Sequence, residues 1–568
     1  MNKDIFCGQD YHEKTKHSEI SVMTSGHYLD WDNRPSPFKI YTELPTIPLP
    51  LDLPIPSMNS ILAISRLYPQ LKQFEDHDYN VNNNGQISKD IDHININTLS
   101  LPDLSTILFF SGGITREIKH NSDTFYMRAA SATGALYPIE MYIVCKDIST
   151  NISAGIYHFN PAEFSLTNIR KGDYRSILAS IAGDNQHIVK SPITIIFTSY
   201  AWRNAWKYQE RSFRHWFWDS GVITANLLAT TISMNIHTKI IMGFIDDKVN
   251  HLLALEKEKE ASIVMAALDI ESGKNFAPHE TNNTEKESPY LSLKIDPLSK
   301  TEIQYPEIWK TYNCSKLSSG NEVKEWIKSG TSQTSGFISF NEDLTTPKEK
   351  ILRRRSLSND YRLYDVPSIG ETILRRGSTR RFSKSSISFS TLSSILYNST
   401  RGISADFKKD TETLIDIYMI ANDVEGLEKG GYFYNYGHNS IDQIKDKVSR
   451  TLSGYLCLNQ SLFSDASAVL FLMSSLNKVF KTLGNRGYRA SQFEAGIIAG
   501  KIYLSAYAHG IGASGSTFYD DAVTEFFLPH SKDKDTMIAI GIGNPSYKAR
   551  PGKIQSRRIT REQIMRDK

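Results

Sequence analysis

Arg376, Ser378 and Arg380 take alternate positions in the run Arg375-Arg376-Gly377-Ser378-Thr379-Arg380-Arg381. If the chain is extended there, alternate residues share a side, and two guanidiniums and a hydroxyl face one target. Forked donors match the oxygens of a phosphate, and each charge-assisted bond contributes about 1.5–3 kcal/mol. A solvated basic helix end uses the same residues, since cations are stabilised at helix C-termini; taken alone, the run favours that simpler account. The helix it closes opens with the capping box Ser368-Ile369-Gly370-Glu371. Downstream, Gly510-Ile511-Gly512-Ala513-Ser514-Gly515 spells G-x-G-x-x-G. A dinucleotide fingerprint follows a strand and opens a helix, whereas this segment follows a long helix, so the Rossmann reading is rejected. Either its small residues let backbone N–H groups approach a ligand edge that a Cβ would obstruct, or it is a glycine turn. His12 and His17 stand five apart, on different sides of a helix, and do not form a zinc pair. No metal is expected, and no Ser/His/Asp set, P-loop or cysteine nucleophile stands out.

The elements that must position these residues come in two copies. Phe244-Ile245-Asp246-Asp247-Lys248-Val249 is matched by Phe518-Tyr519-Asp520-Asp521-Ala522-Val523. Arg211, Arg214 and Gly221 are matched 275 positions on by Arg486, Arg489 and Gly496, and Tyr142 and Gly155 are matched 276 positions on by Tyr418 and Gly431. A period this long means two copies of one domain rather than a stacked array. Each copy reads as a helix (101–110; 390–397), a strand (140–145; 416–421), a hairpin segment (155–159; 431–435), an apolar strand (193–198; 468–473), a long helix (203–233; 488–509) and a short strand (261–267; 536–541). The expected class is α+β.

The expected boundaries are 1–98 for a proline- and asparagine-rich wrapping leader, 99–270 for the first domain, 271–350 for a linker and 351–568 for the second domain. The leader carries a helical stretch near 58–71 and the polar run Asn80 to Asn84. The linker is marked by Asn282-Asn283-Thr284 and by Ser329, Ser332 and Ser335, and the run Arg353-Arg354-Arg355 reads as its solvated end. Gly221, Ala225 and Ala229, and Gly496 and Gly500, recur at four-residue spacing. That puts them on one helix face, as a close helix approach or ordinary core packing would.

The 568 residues hold 65 Lys+Arg against 62 Asp+Glu, a net +3 that gives no support to nucleic-acid or membrane binding as the main activity. Hydrophobic content of 40% and charged content of 22% suit a soluble globular protein. Cys7, Cys145, Cys314 and Cys457 show no paired or ligand-like spacing, so free thiols in a reducing compartment and no structural zinc are expected. With no signal peptide pattern and no apolar run of about 18 residues, the expected location is the cytoplasm.

The Arg-x-Ser-x-Arg opening, the order of elements and Gly541-Ile542-Gly543-Asn544-Pro545 together resemble the FMN-dependent nitroreductase fold. The first copy more specifically resembles the SagB/ThcOx-type azoline dehydrogenases. It does so through Tyr11-His12-Glu13-Lys14-Thr15-Lys16-His17, Phe110-Ser111-Gly112-Gly113-Ile114-Thr115-Arg116, Arg128-Ala129-Ala130-Ser131-Ala132-Thr133-Gly134-Ala135-Leu136-Tyr137-Pro138 and Trp206-Lys207-Tyr208-Gln209-Glu210-Arg211. That family is a dimer with FMN between its subunits. The resemblance therefore implies two tandem nitroreductase-like domains forming an intramolecular pseudo-dimer.

The resemblance also divides the cofactor contacts. The second copy would supply Arg376, Ser378 and Arg380 for the phosphate, Gly512, Ala513, Ser514 and Gly515 near the ring, and Arg550. The first would supply Ser131, Ala132, Thr133 and Gly134 under the ring, although Ala130 stands where the family has proline; Arg128 and Arg211 would support. The first copy has no Arg-x-Ser-x-Arg ahead of Leu104 and only Ile236-His237-Thr238 in place of the glycine segment. The second has Phe407-Lys408-Lys409-Asp410 in place of the small-residue loop. One FMN site is thus expected intact and its mate degenerate. Lys207 and Tyr208, matched by Thr482 and Leu483 in the second copy, are the expected catalytic pair. Azoline oxidation removes a hydride and a proton, which needs the donor carbon at about 3–3.5 Å from its acceptor and a base in reach. Lys207 serves as that base if burial or Arg211 lowers its pKa. Trp206, Phe213, Trp216 and Phe217 read as packing.

The implied substrate is an azoline in a peptide or carrier-bound chain, beside a cyclodehydratase or a peptide synthetase. An NAD(P)H-dependent nitro- or quinone reductase and a flavin-free scaffold are the alternatives.

Overall fold

The computed structural model describes residues 2–67, 99–120, 123–269, 289–333, 335–340, 351–358 and 366–566. The runs Asn80 to Asn84 and Asn282 to Thr284 lie outside the described residues. Two seven-stranded antiparallel sheets repeat one strand order. Edge to edge, the first is Thr46–Pro48, Ser165–Lys171, Gly155–Asn160, Ile139–Cys145, Ile193–Tyr200, Glu260–Asp269 and His237–Ile241. The second is Arg353–Ser356, Ser440–Asp446, Gly430–Asn435, Asp416–Ala421, Ala468–Ser474, Asp535–Gly543 and Gly512–Ser516. The central strands Ile193–Tyr200 and Ala468–Ser474 are buried along their whole length, as near-continuous apolar runs require.

The two long helices, Ser212–Ser233 and Asn485–Ala508, are buried almost throughout. A helix enclosed on all sides belongs to a core. Their crossing decides between the two readings of the small residues. A Cβ on Gly221 would stand 2.6 Å from Phe493 O and 2.7 Å from Gly496 Cα, and one on Gly496 would stand 2.7 Å from Trp218 O. Only glycine allows backbones this near. The expected helix 203–233 is broken at Gln209, whose φ of 49° separates Ala201–Tyr208 from Ser212–Ser233. Gly484, at φ 65°, makes the same break before Asn485–Ala508.

The repeat landmarks are reciprocal ion pairs between the halves. Arg211 and Arg214 meet Asp520 at 3.1 and 2.8 Å, and Arg486 and Arg489 meet Asp246 at 2.6 and 2.7 Å. All six side chains are buried. A pair of patches that each contact the other is the mark of two-fold association.

Several expectations change. The leader supplies the edge strand Thr46–Pro48 and the helix Ser60–Ser65, shorter than the stretch read from sequence. Asn59 caps that helix and bridges Ser368, which caps the corresponding helix Ile369–Arg375. The segment read as linker holds helices Pro306–Cys314 and Gly320–Thr331, packed so that Trp326 donates to Leu483 O at 2.9 Å. The run Arg353 to Arg355 is an edge strand rather than a linker end, and Arg354 grips Asp442 through two bonds. Cys7 and Cys314 form a disulfide, against the expectation of free thiols, while Cys145 and Cys457 are free and buried. Their 307-residue separation hid the pair, which arises because helix Phe6–Lys14 packs on Pro306–Cys314. Among the described residues no helix is long and apolar enough to cross a membrane.

Candidate functional site

A cavity of about 1180 Å³ is lined by both halves. The first half brings Arg128, Ser131, Ala132, Thr133, Gly134, Lys207 and Tyr208 to it; the second brings Arg376, Ser378, Arg380, Ser514, Gly515 and Arg550. Gly512, Ala513 and Arg211 do not line it. Gly512–Ser516 is an edge strand paired with Asp535–Gly543, where a loop was expected, and its first two residues back onto Thr379, whose N–H donates to Ala513 O at 2.9 Å.

Arg376 is largely committed elsewhere. Its Nε and Nη2 donate to Ala129 O at 3.1 and 2.9 Å, and Nη2 also to Arg128 O at 2.8 Å. The guanidinium thus ties the second half to the chain leading into the Ser131–Gly134 loop. Arg380 is exposed at the rim, its backbone N–H donating to the Tyr547 hydroxyl at 3.0 Å. Arg116, which sequence reasoning did not single out, donates through Nη2 to Leu374 O, Arg375 O and Arg376 O at 3.0–3.2 Å. It satisfies the last carbonyls of helix Ile369–Arg375, the end where a cation is favoured.

Gly134 sits at φ 62°, and a Cβ there would stand 2.8 Å from the Tyr208 hydroxyl oxygen. Both facts demand glycine. Lys207 is half-buried, and its ammonium pKa is lowered first by burial and then by Arg380 and Arg34. Arg211 was expected to do this and does not. It donates to Thr15 O and to the Thr517 hydroxyl while paired with Asp520. Tyr208 is half-buried, and burial, helped by the charge of Asp219, raises its phenol. Its ring meets His215 edge-on at 4.4 Å. Trp206, Phe213, Trp216 and Phe217 are buried beside the cavity without lining it.

Asp219 was also missed. Its carboxylate accepts the Thr133 N–H at 2.8 Å and the Thr133 hydroxyl at 2.7 Å, and burial pushes it up to about 7. A sequence signal existed: Glu494 repeats an acid at the same place in the second long helix.

In the second half, the segment that stands in place of the small-residue loop packs against the first half. Lys408 is buried and donates to Ile403 O at 3.0 Å. The Asp406 carboxylate accepts the N–H groups of Met242 and Gly243 at 2.9 and 2.8 Å, and Ile240 pairs with Ala405 in a parallel bridge. Two clusters of the described residues could hold a cation: His187 with His237 and Asp269, and His12 with Glu13 and Asp535. Neither lies in the cavity.

Residues 373–544 match the nitroreductase family. This stretch of the second half is therefore similar to that family. It covers Ser378, Arg380 and the segment Gly512 to Gly515, so the resemblance read from the sequence has a counterpart there. A provisionally named nitroreductase of Methanocaldococcus jannaschii is 28% identical over 174 residues, spanning 29% of this chain and 88% of its own length. A solved structure from Anabaena variabilis, also provisionally assigned as a nitroreductase, aligns at a TM-score of 0.70 and 25% identity over 95% of this chain and 99% of its own. The nitroreductase fold therefore extends over both halves.

Proposed function

We propose that the chain is a flavin oxidoreductase in which two nitroreductase-like domains form an intramolecular pseudo-dimer around one FMN, and that it oxidises a thiazoline or oxazoline ring of a peptide or carrier-bound substrate. The units are 99–270, completed by Thr46–Pro48 and Ser60–Ser65, and 351–568. One observation carries the reading: Ser378 and Arg380 share a cavity with the Ser131–Gly134 loop and the Lys207-Tyr208 pair. FMN suits that lining. Ser378, Arg380 and Arg550 supply donors for a phosphate. Among the described residues, Arg116 Nε, Arg128 Nε and His215 Nδ1, on residues of the cavity, are buried without hydrogen-bond partners, and Gly134 and Gly515 keep side chains out of it.

FMN, when bound, accepts a hydride. Lys207 takes the accompanying proton, and it can do so because burial and two nearby guanidiniums favour its neutral form. Tyr208, held protonated, donates a hydrogen bond that orients the ring. The azoline loses one hydride and one proton and becomes aromatic. Molecular oxygen is the expected terminal oxidant, and a cyclodehydratase or peptide synthetase the expected supplier of substrate. The packing of Asp406 on Met242 and Gly243, beside the buried Lys408, supports one cofactor per chain.

The test combines flavin content with mass spectrometry of an azoline peptide. Wild-type protein should copurify with FMN and remove two hydrogens per ring. Lys207→Ala should keep the flavin and lose the activity; full turnover by that variant would remove the lysine from the mechanism. The names of the two relatives favour a nitroreductase instead, and NAD(P)H consumption with a nitroarene but no azole product would select that reading. A colourless wild-type protein would select the scaffold.

A further inference from the structure

Asp219 is only 3% exposed, yet it lines the cavity. Oδ1 accepts both donors of Thr133, and Oδ2 accepts the Asn204 amide at 3.3 Å. All three donors are neutral, and among the described residues Asp219 has no ion pair. A buried carboxylate without a cation is costly in its ionised form.

The other half shows what is missing. Glu494, at the matching helix position, also holds chain that leads into the matching strand, accepting the Thr413 hydroxyl at 3.0 Å and the Leu414 N–H at 2.8 Å. There, however, the buried ammonium of Lys408 stands 3.8 Å away. The second long helix thus has a cation beside its carboxylate, and the first has its carboxyl on the cavity wall instead.

We propose that Asp219 is a positioning residue that fixes the Ser131–Gly134 loop through Thr133 and takes up a proton when a ligand presents a hydrogen-bond acceptor to it. Once protonated, the carboxyl still accepts from Thr133 and gains one O–H donor. The ligand class is therefore a planar group bearing a carbonyl or an unprotonated ring nitrogen. Under the FMN reading, on which this assignment of the acceptor rests, the ring system of the cofactor supplies such atoms. The cavity wall that Asp219 shares also carries the charged and titratable groups Arg116, Glu117, Arg128, Tyr137, Lys207, Tyr208, His215, Arg376, Arg380, Tyr503, Tyr507, Tyr547, Arg550, Lys553 and Arg557, and the Asp219 charge acts on the Tyr208 phenol. Burial of Asp219 raises its pKa into the neutral range, which makes the exchange measurable.

The experiment is calorimetric titration of FMN into flavin-free protein, in buffers of different ionisation enthalpy, between about pH 6 and pH 8. Wild type should take up about half a proton near pH 7, with affinity falling up to about tenfold per pH unit above it. Asp219→Asn, which keeps an acceptor for Thr133 and is permanently neutral, should bind with no proton uptake and a flat pH profile. Equal uptake by the two proteins, or none by wild type, overturns the proposal. If FMN does not bind, the proposed function fails. Asp219 is then judged alone by the infrared carboxyl band of ligand-free protein, which should titrate near neutral pH in wild type and be missing in Asp219→Asn. No such band overturns the proposal on its own.

Discussion

Arg376 and Arg380 form one motif, but the structure gives them different work, and Arg376→Ala and Arg380→Ala should separate it. Arg376 is buried and holds Arg128 O and Ala129 O. Ala129 O also accepts the Asn226 amide at 3.0 Å and keeps it in the variant. One carbonyl, that of Arg128, loses the guanidinium. An unsatisfied buried group costs about 1–3 kcal/mol, roughly 5- to 150-fold in the folding constant. Arg380 is exposed and makes no such bond, so its truncation should stay within about 0.5 kcal/mol. Flavin-free protein is unfolded in guanidinium chloride and followed by tryptophan fluorescence, and flavin content is measured separately. Both variants should lose FMN, and only Arg376→Ala should unfold at lower denaturant. Equal midpoints for the two flavin-free variants would refute the division of labour.

Three other outcomes are expected. Gly221→Val places a side chain against Gly496 and Phe493 O and should cost about 1–3 kcal/mol or more through overpacking, read as a lower melting temperature; an unchanged value would mean that the helices are not in this contact. Gly134→Ala, strained by its φ and directed at the Tyr208 hydroxyl, should weaken flavin retention while leaving the circular dichroism spectrum unchanged, and full retention would count against the loop. Asp520 is buried, which alone would raise its pKa, but Arg211 and Arg214 outweigh burial and hold it at about 2. Its stabilisation of about 2 kcal/mol should be complete above about pH 4 and lost as pH falls toward 2. Asp520→Asn should flatten that part of an acid-unfolding curve, and an unchanged slope would rule out the assignment.

The sequence exposed the features that recur. Phe244-Ile245-Asp246-Asp247 and Phe518-Tyr519-Asp520-Asp521 repeat because each aspartate must meet two arginines of the other half, and the central strands announced themselves as apolar runs. The capping box at Ser368 was legible as a local pattern, whereas the meeting of Ser378, Arg380, Lys207 and Gly134 was implied only by the family resemblance. Edge strands were not. Gly512–Ser516 is glycine-rich, and Arg353–Ser356 carries charge, as exposed edges do, so neither has a strand signature. The Cys7–Cys314 bond and the turning away of Arg211 arise from contacts between segments hundreds of residues apart. Asp219 had a signal in its repeat mate Glu494, but what the acid does becomes clear only once Thr133 is seen beside it.

The segment around Asp406 braces the halves by packing on Ile240 to Gly243, and this bears on how a two-half chain can change. In an assembly of identical chains every substitution is printed twice, and a residue that blocks one pocket blocks its twin. Fusing the halves removes that constraint. One face was free to brace the molecule, while the opposite face could be refined for a single guest without carrying its own copying errors.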